Sequence, residues 1–151
     1  MFLMNATQLY SYPAGMESLE AMLGLVRTSA AGTADVTRLR AETAVEELLT
    51  NTVLHGASAV QPNSRVWLAA SMNRVGGLML QYQDTCLKFD PKPKINEALQ
   101  RTANPMDQHP LGGLGLLMVY RLADEFRYVR RDGRNCIDLA FQEQRSAVVT
   151  G

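Results

Sequence analysis

The chain has 151 residues, the usual length of one domain, and 46% of them are hydrophobic, which is enough for a substantial core. Its 15 basic and 15 acidic side chains give a formal net charge of +0. This balance excludes a general nucleic-acid binder, because neutralising phosphates requires an excess of positive charge.

The cysteines and the N-terminal residues indicate the compartment. Cys86 and Cys136 are too few for a disulfide framework, so we expect reduced thiols in a cytoplasmic protein. Residues 1–12 have neither a basic start nor a long apolar run, which argues against a signal peptide. No apolar run approaches the roughly 20 residues that cross a bilayer, so we expect no membrane partner.

The first half of the chain predicts a strand and two helices. Residues 8–12 predict a short strand that Pro13 stops, and residues 14–30 predict a helix with apolar positions at i, i+3, i+4 and i+7. The longest helix is expected over 35–55, with Asp35 as its N-cap and Gly56 as its C′ residue. Its core stripe consists of Val45, Leu48, Leu49, Thr52 and Val53.

The middle of the chain predicts a hairpin and then a long loop. Residues 65–71 and 78–83 alternate as antiparallel strands, with Leu78, Leu80 and Tyr82 on one face. Residues 84–111 contain four prolines and predict at most one short helix, at 95–100. Loops of this length are usually functional or disordered.

The last third predicts a helix and a second hairpin. The helix is expected at 116–122 and a strand at 126–130, and Asp132-Gly133 is a strong two-residue turn signal. Ile137, Leu139 and Phe141 alternate on the return strand.

This order of elements predicts an α+β fold. Hairpin-linked strands with separate helices favour a two-layer sandwich, in which a mixed, mostly antiparallel sheet carries the helices on one face. A doubly wound parallel sheet would require strands that alternate with helices throughout. We expect a single domain over 1–151, with its core at about 8–142 and a frayed tail at 143–151.

Glu47 and Asn51 form the first motif that can carry chemistry. Their i, i+4 spacing puts both side chains on one face of the long helix. An amide carbonyl is a hard oxygen ligand suited to Mg²⁺, and a carboxylate can orient or deprotonate an attacking hydroxyl. Ordinary exposed polar pairs have the same spacing, so the pair alone leaves both interpretations open.

The second motif is the loop Gly112-Gly113-Leu114-Gly115, which precedes a predicted helix. Glycines allow close backbone approach, and a helix N-terminus can bind phosphate through its free N–H groups. A hinge or a tight helix–sheet contact is the alternative. Asp84, at the end of an apolar strand, is either a turn residue or an acceptor for an amino group such as that of adenine.

Two further features have simpler interpretations. Arg127, Arg130, Arg131 and Arg134 form a cluster typical of the solvated face of a hairpin, with nucleic-acid contact as a remote alternative. His55 lies near the end of the long helix, where a capping or dipole-facing role is favoured over a catalytic one.

The order and spacing of the motifs resemble a known family. Residues 44–56, AVEELLTNTVLHG, are similar to the N-box of GHKL ATPases, which are Bergerat-fold, histidine-kinase-like proteins. Asp84 and the residues 89–91, FDP, resemble the adenine box of the anti-sigma branch. The stretch from 111 to 139 resembles its glycine box and final hairpin. The similarity covers 8–142 and indicates the anti-sigma regulatory serine-protein kinases.

The resemblance implies a role for each polar residue. Asn51 would ligate the Mg²⁺ that bridges the phosphates of ATP. Glu47 would be the general base or orienting carboxylate for a serine hydroxyl, and Asp84 would recognise the adenine amino group.

The resemblance also implies a mobile segment and partners. Gly112, Gly113, Leu114 and Gly115 would shape the loop that closes over the phosphates, and residues 92–111 would form a lid. The substrate would be a serine or threonine of a STAS-domain antagonist. A sigma factor or equivalent regulator would be a second partner, without direct nucleic-acid contact, and the protein would be a homodimer.

One departure from the family pattern concerns Cys86. The family box has Asp-x-Gly, whereas this chain has Asp84-Thr85-Cys86, which adds a side chain where glycine permits close approach or positive φ. Lys88 also stands where the family often has a small residue or proline. Two functions therefore stay open: an Mg-ATP-dependent serine/threonine-protein kinase, or a catalytically silent partner-binding switch with weak or no ATP binding.

Overall fold

The computed structural model describes residues 7–56, 63–86, 90–102 and 114–143. Within them lie five strands and four α-helices. In chain order the elements are β1 Tyr10–Pro13, α1 Leu19–Ser29, α2 Asp35–His55, β2 Arg65–Met72, β3 Leu78–Asp84, α3 Lys92–Thr102, α4 Leu114–Leu122, β4 Glu125–Arg131 and β5 Arg134–Phe141.

The five strands form one sheet in the order β1-β2-β3-β5-β4. Every pairing among the described strands is antiparallel, so the parallel pairing allowed for in the sequence prediction of a mixed sheet does not occur there. The register sets Asp84 of β3 opposite Asn135 of β5, and Asn135 in turn opposite Arg130 of β4. The expected α+β architecture is confirmed.

The hydrophobic core lies between the sheet and the helices that cover one of its faces. Each large apolar side chain that is fully buried here stabilises the fold by about 1.5–3 kcal/mol. Met22 and Val26 of α1 and Val45, Leu48 and Leu49 of α2 meet the sheet residues Leu68, Leu78, Leu80, Leu139 and Phe141. The predicted core stripes of both helices therefore face the sheet, with Val53 only partly buried.

The chain enters α1 later than the sequence predicted. In place of a helix over 14–30, a 3₁₀ turn at Met16–Ser18 precedes α1. The Ser18 hydroxyl donates to the carbonyl of Pro13 at 2.6 Å, which holds the chain in a turn after β1. Pro13 is the last residue of β1, and because β1 is an edge strand its missing N–H leaves no ladder partner unpaired.

Both predicted caps of α2 are wrong in detail. The N-cap is Ala34, and Asp35 is the first helical residue, because its carboxylate pairs with Arg38 at 3.2 Å instead of accepting from the backbone. Gly56 is the C-cap itself, with φ −86°, and is not a left-handed C′ residue.

The proline-rich segment contains a longer helix than expected. The pattern predicted a helix at 95–100, whereas α3 spans Lys92–Thr102. Proline is tolerated in the first turn of a helix, where its missing N–H has no partner in any case. The Asp90 carboxylate also accepts from the backbone N–H of Lys92 at 3.0 Å, which stabilises the start. The rest of the expected lid, residues 103–111, and most of the expected tail, 144–151, lie outside the described residues.

None of the described helices has both the length and the apolar character that crossing a bilayer requires.

Candidate functional site

The polar face of α2 presents Glu47 and Asn51, both partly exposed. One helical turn separates them, so they project to the same side while Leu48 and Thr52 turn towards the core. Asn51 lines a pocket between α2 and the sheet. Glu47 lies beside the start of α4, since a Cβ added at Gly115 would come within 2.6 Å of its Oε2 atom.

Asp84 lies at one end of a row of polar side chains that crosses three strands, with Asn135 in the middle. Its Oδ1 atom accepts from Asn135 Nδ2 at 2.8 Å and from the backbone N–H of Cys86 at 3.2 Å. Asn135 Oδ1 accepts in turn from Tyr128 at 2.8 Å and from Arg130 at 3.1 Å. The antiparallel register places these residues side by side, although the chain separates them by up to 51 positions.

Thr52 connects α2 to the same row. Its Oγ1 atom lies 2.9 Å from Asp84 Oδ2 and 2.6 Å from the Tyr82 hydroxyl. An ionised carboxylate can only accept, so Tyr82 donates to Thr52. The single Thr52 proton is shared between Asp84 and the Leu48 carbonyl, which lies 3.1 Å from Oγ1. Burial, reinforced by the Asp84 charge, raises the pKa of Tyr82 well above its ordinary value, although the Thr52 hydrogen bond acts against this. The phenol is therefore protonated and available as the donor.

These groups surround one pocket, a cavity of about 30 Å³, which has room for about two water molecules. A purine is larger than the part of the pocket that the described residues enclose. The lining consists of Leu48, Asn51, Thr52, Tyr82, Asp84, Pro91, Leu116, Tyr128, Asn135 and Ile137. The pocket therefore brings together Asn51 and Asp84, two of the residues that the sequence singled out.

Cys86 stands at the mouth of this region and is held from two sides. Its carbonyl accepts from Arg130 at 2.7 Å and from Asn135 at 3.3 Å. Its sulfur lies against Gly56, where an added Cβ would overlap the sulfur and lie 2.5 Å from the Thr52 carbonyl oxygen. Asp132 is the one non-glycine residue with positive φ in the described ranges, so Cys86 does not strain the backbone. What it adds is side-chain volume.

The glycine loop is described only in part. Leu114 and Gly115 form the first turn of α4, which begins two residues earlier than the predicted 116. Leu114 is exposed, and Gly115 lies close to the Glu47 carboxylate. Gly112, Gly113 and also Lys88 lie outside the described residues.

The sequence suggested that the clustered arginines share one solvated face, but in the structure they do not. Arg130 is half-buried and points to the helix side of the sheet, where it contacts Cys86 and Asn135. Sequence reasoning missed Thr52, Asn135 and Arg130 as parts of the site. The cross-strand register brings Asn135 and Arg130 to the site, and no local pattern carries that register. Thr52 reaches it through the packing of α2 on the sheet.

Two further sequence expectations concern single residues. His55 is the exposed last residue of α2 and is not among the described residues that line the pocket. Both cysteines are free thiols, as expected.

The donor set around the pocket suits a magnesium ion that is held mainly by a ligand. In the described part of the chain, no group of three or more His, Cys, Asp or Glu side chains could hold a metal by itself. Mg²⁺ usually takes one or two protein oxygens and completes its shell with phosphate oxygens and waters. The Asn51 amide, which faces the pocket beside Asp84, is compatible with that role.

The chain is similar in sequence to a known protein family. The sequence model of the histidine kinase-like ATPase domain matches residues 12–141. The chain belongs to this family. The match includes α2, the Asp84 row and the α4 start, so the ATPase domain extends over all the elements that form the pocket. The GHKL membership expected from the N-box is thereby confirmed.

A solved structure has the same fold. The crystal structure of the RsbU and RsbW domains of Rv1364c from Mycobacterium tuberculosis is similar to this ATPase domain with a TM-score of 0.57 and 20% sequence identity. The similarity covers 93% of this chain and 34% of that chain, so this chain spans about a third of its length. No curated protein matches the chain in sequence.

Proposed function

We propose that this ATPase domain binds Mg-ATP and phosphorylates a serine or threonine of a STAS-domain protein, and that it sequesters a sigma factor or an equivalent regulator. The observation that carries the proposal is the single pocket lined by Asn51 and Asp84, with Glu47 close to Gly115 at the start of α4. The resemblance of 44–56 and 111–139 to the anti-sigma serine-protein kinases supports the class of partner. It also extends the proposal to a cytoplasmic homodimer.

In this proposal each residue has one task. The carbonyl of Asn51 holds the magnesium ion, which neutralises phosphate charge when bound. Asp84 accepts a hydrogen bond from the adenine amino group. Glu47 orients the serine hydroxyl or takes its proton, and the first turn of α4 turns its backbone N–H groups towards the phosphates. Gly112, Gly113, Leu114 and Gly115 form the phosphate loop.

Replacement of Glu47 tests the catalytic part of the proposal. We expect Glu47→Gln to lower phosphotransfer from labelled ATP to a STAS-domain protein by about 100-fold or more, since general-base catalysis contributes at least that much. Glu46→Gln is the matched control, because Glu46 is an exposed carboxylate about 100° further round the same helix. It should keep wild-type rates. Equal transfer by wild type and Glu47→Gln would remove Glu47 from this role.

A catalytically silent partner-binding switch is the second candidate, and the surroundings of Asp84 favour it. The Asp84 carboxylate is occupied by internal donors, and the adjoining cavity is small. Calorimetry with Mg-ATP separates the two functions. Heat of binding by the wild type supports the kinase. No heat at millimolar Mg-ATP, together with binding by Cys86→Gly, supports the silent switch and identifies the Cys86 side chain as the cause.

A further inference from the structure

The arginines of the last hairpin divide between the two faces of the sheet. Side chains alternate along a strand, so Arg130 faces the helices while Arg127, Arg131 and Arg134 face the opposite side. Arg127 pairs with Asp138 at 3.6 Å. Within the described residues, neither Arg131 nor Arg134 forms an ion pair with any carboxylate.

Arg131 and Arg134 lie directly opposite each other, on either side of the two-residue turn. Like charges in directly opposed cross-strand positions are destabilising. A bound anion would reduce this repulsion.

Arg134 is held in place from two sides. Its guanidinium lies over the Trp67 ring at 3.5 Å from the centroid and donates to Gln83 Oε1 at 3.1 Å. Gln83 is only 6% exposed and is fixed in turn by its hydrogen bond to Gln81. A guanidinium fixed before binding loses little conformational freedom when an anion arrives, and its remaining N–H groups keep their fork geometry.

The two arginines line a pocket of about 290 Å³ on this face, at the lower end of the range for small-molecule sites. The lining contains two guanidinium groups against one carboxylate, and the carboxylate, Asp132, pairs with neither arginine. The full lining is Leu9, Gln83, Arg131, Asp132, Arg134 and Cys136.

We propose that this pocket, referred to below as the hairpin pocket, binds the phosphate group of a small phosphate monoester. A phosphate monoester carries a charge of about −1.5 to −2 at neutral pH and has three acceptor oxygens, which is enough to accept from both guanidinium groups that line the pocket. A carboxylate is satisfied by a single guanidinium fork. The site lies on the sheet face opposite the Asp84 row, so it is independent of the proposed nucleotide pocket.

The only tryptophan of the chain, Trp67, provides a local signal because Arg134 stacks on it. Inorganic phosphate, titrated at constant ionic strength, should change the Trp67 fluorescence saturably in the wild type. Arg131→Gln should weaken this binding at least fivefold, and because Arg131 is exposed the variant should still fold. Arg127→Gln, on the same strand and face but paired with Asp138, should change the affinity less than twofold.

The assignment would be overturned by the absence of a saturable response in the wild type, by unchanged affinity in Arg131→Gln, or by acetate binding as tightly as phosphate. Glycerol phosphate should bind at least as tightly as inorganic phosphate, because the pocket is larger than one phosphate group. Asn51→Ala should keep the response, whereas loss of the response in that variant would place the phosphate in the pocket beside Asp84 instead.

Discussion

At the scale of single residues, Cys86 and Gly56 depend on each other. The Cys86 sulfur occupies the space that a side chain at position 56 would need, and the Thr52 carbonyl closes the other side. The absence of a side chain at the end of α2 therefore makes room for one in the segment after β3. The departure from the family pattern at position 86 is in this way accommodated by packing and not by backbone strain.

The environment of Cys86 also predicts a pH dependence of stability. Burial, together with the Asp84 carboxylate, raises the pKa of the Cys86 thiol from 9.0 to about 11. The unfolded chain then loses this proton near pH 9, while the folded chain keeps it until about pH 11. Since the folded state binds more protons in this interval, the free energy of unfolding should fall as pH rises from 9 to 11.

Denaturant unfolding of wild type and Cys86→Ala across this interval measures the effect. The variant should lose stability less steeply with pH, because it lacks the thiol. Tyr12 and Cys136, whose pKa values are also raised by burial, are present in both proteins and cancel in the comparison. The Cys86 thiolate contributes to the raised pKa of Tyr82, so its removal flattens the profile in the same direction. Parallel pH profiles would mean that the thiol titrates near its ordinary pKa.

At the scale of secondary-structure elements, Arg40 joins α2 to the ends of two other elements. It donates to the carbonyl of Leu122, the last residue of α4, and to the carbonyl of Gln142 just after β5, both at 2.8 Å. Its guanidinium also lies over the Phe141 ring at 5.6 Å. The side chain is only 14% exposed, and its hydrogen bond to Leu122 is partly buried, whereas the one to Gln142 is exposed.

We therefore expect Arg40→Ala to lower the free energy of unfolding by about 2–3 kcal/mol, because hydrogen bonds from a charged group contribute more than neutral ones. Arg38→Ala is the matched control on the same helix. Arg38 pairs with the largely exposed Asp35 at 3.2 Å and with the nearly buried Glu42 at 3.6 Å. Glu42 also pairs with Arg27, so the loss of Arg38 leaves no buried carboxylate unpaired and should cost at most about 1 kcal/mol. Urea unfolding followed by circular dichroism measures both, and equal losses would contradict the junction role of Arg40.

The sequence predicted some of the helices and strands more accurately than others. The apolar stripe of α2 and the alternation of β2, β3 and β5 are strong periodic signals, because one face of each meets the core. The length of α3 was underestimated, because its prolines suggest a loop. The pattern does not reveal the Asp90 contact that stabilises the start of the helix. Caps are decided by individual side-chain partners, which explains the error at Asp35.

At the scale of the whole molecule, the sheet carries different chemistry on its two faces. The helix side contains the Asp84 row and the pocket with Asn51, whereas the opposite side contains the hairpin pocket. Asn51 could be predicted, because local spacing in a motif singles it out. Asn135 and Arg130, which complete the Asp84 row, could not be predicted as site residues, because the register of three strands brings them there.

The occupancy of Asp84 has a consequence for base selection. Its carboxylate has about four acceptor positions, two on each oxygen. Asn135 and the backbone N–H of Cys86 donate to Oδ1, and Thr52 donates to Oδ2. About one position, on Oδ2, is therefore left for the amino group of an entering base. Discrimination between purines would then depend on whether the base can present an amino group to that oxygen.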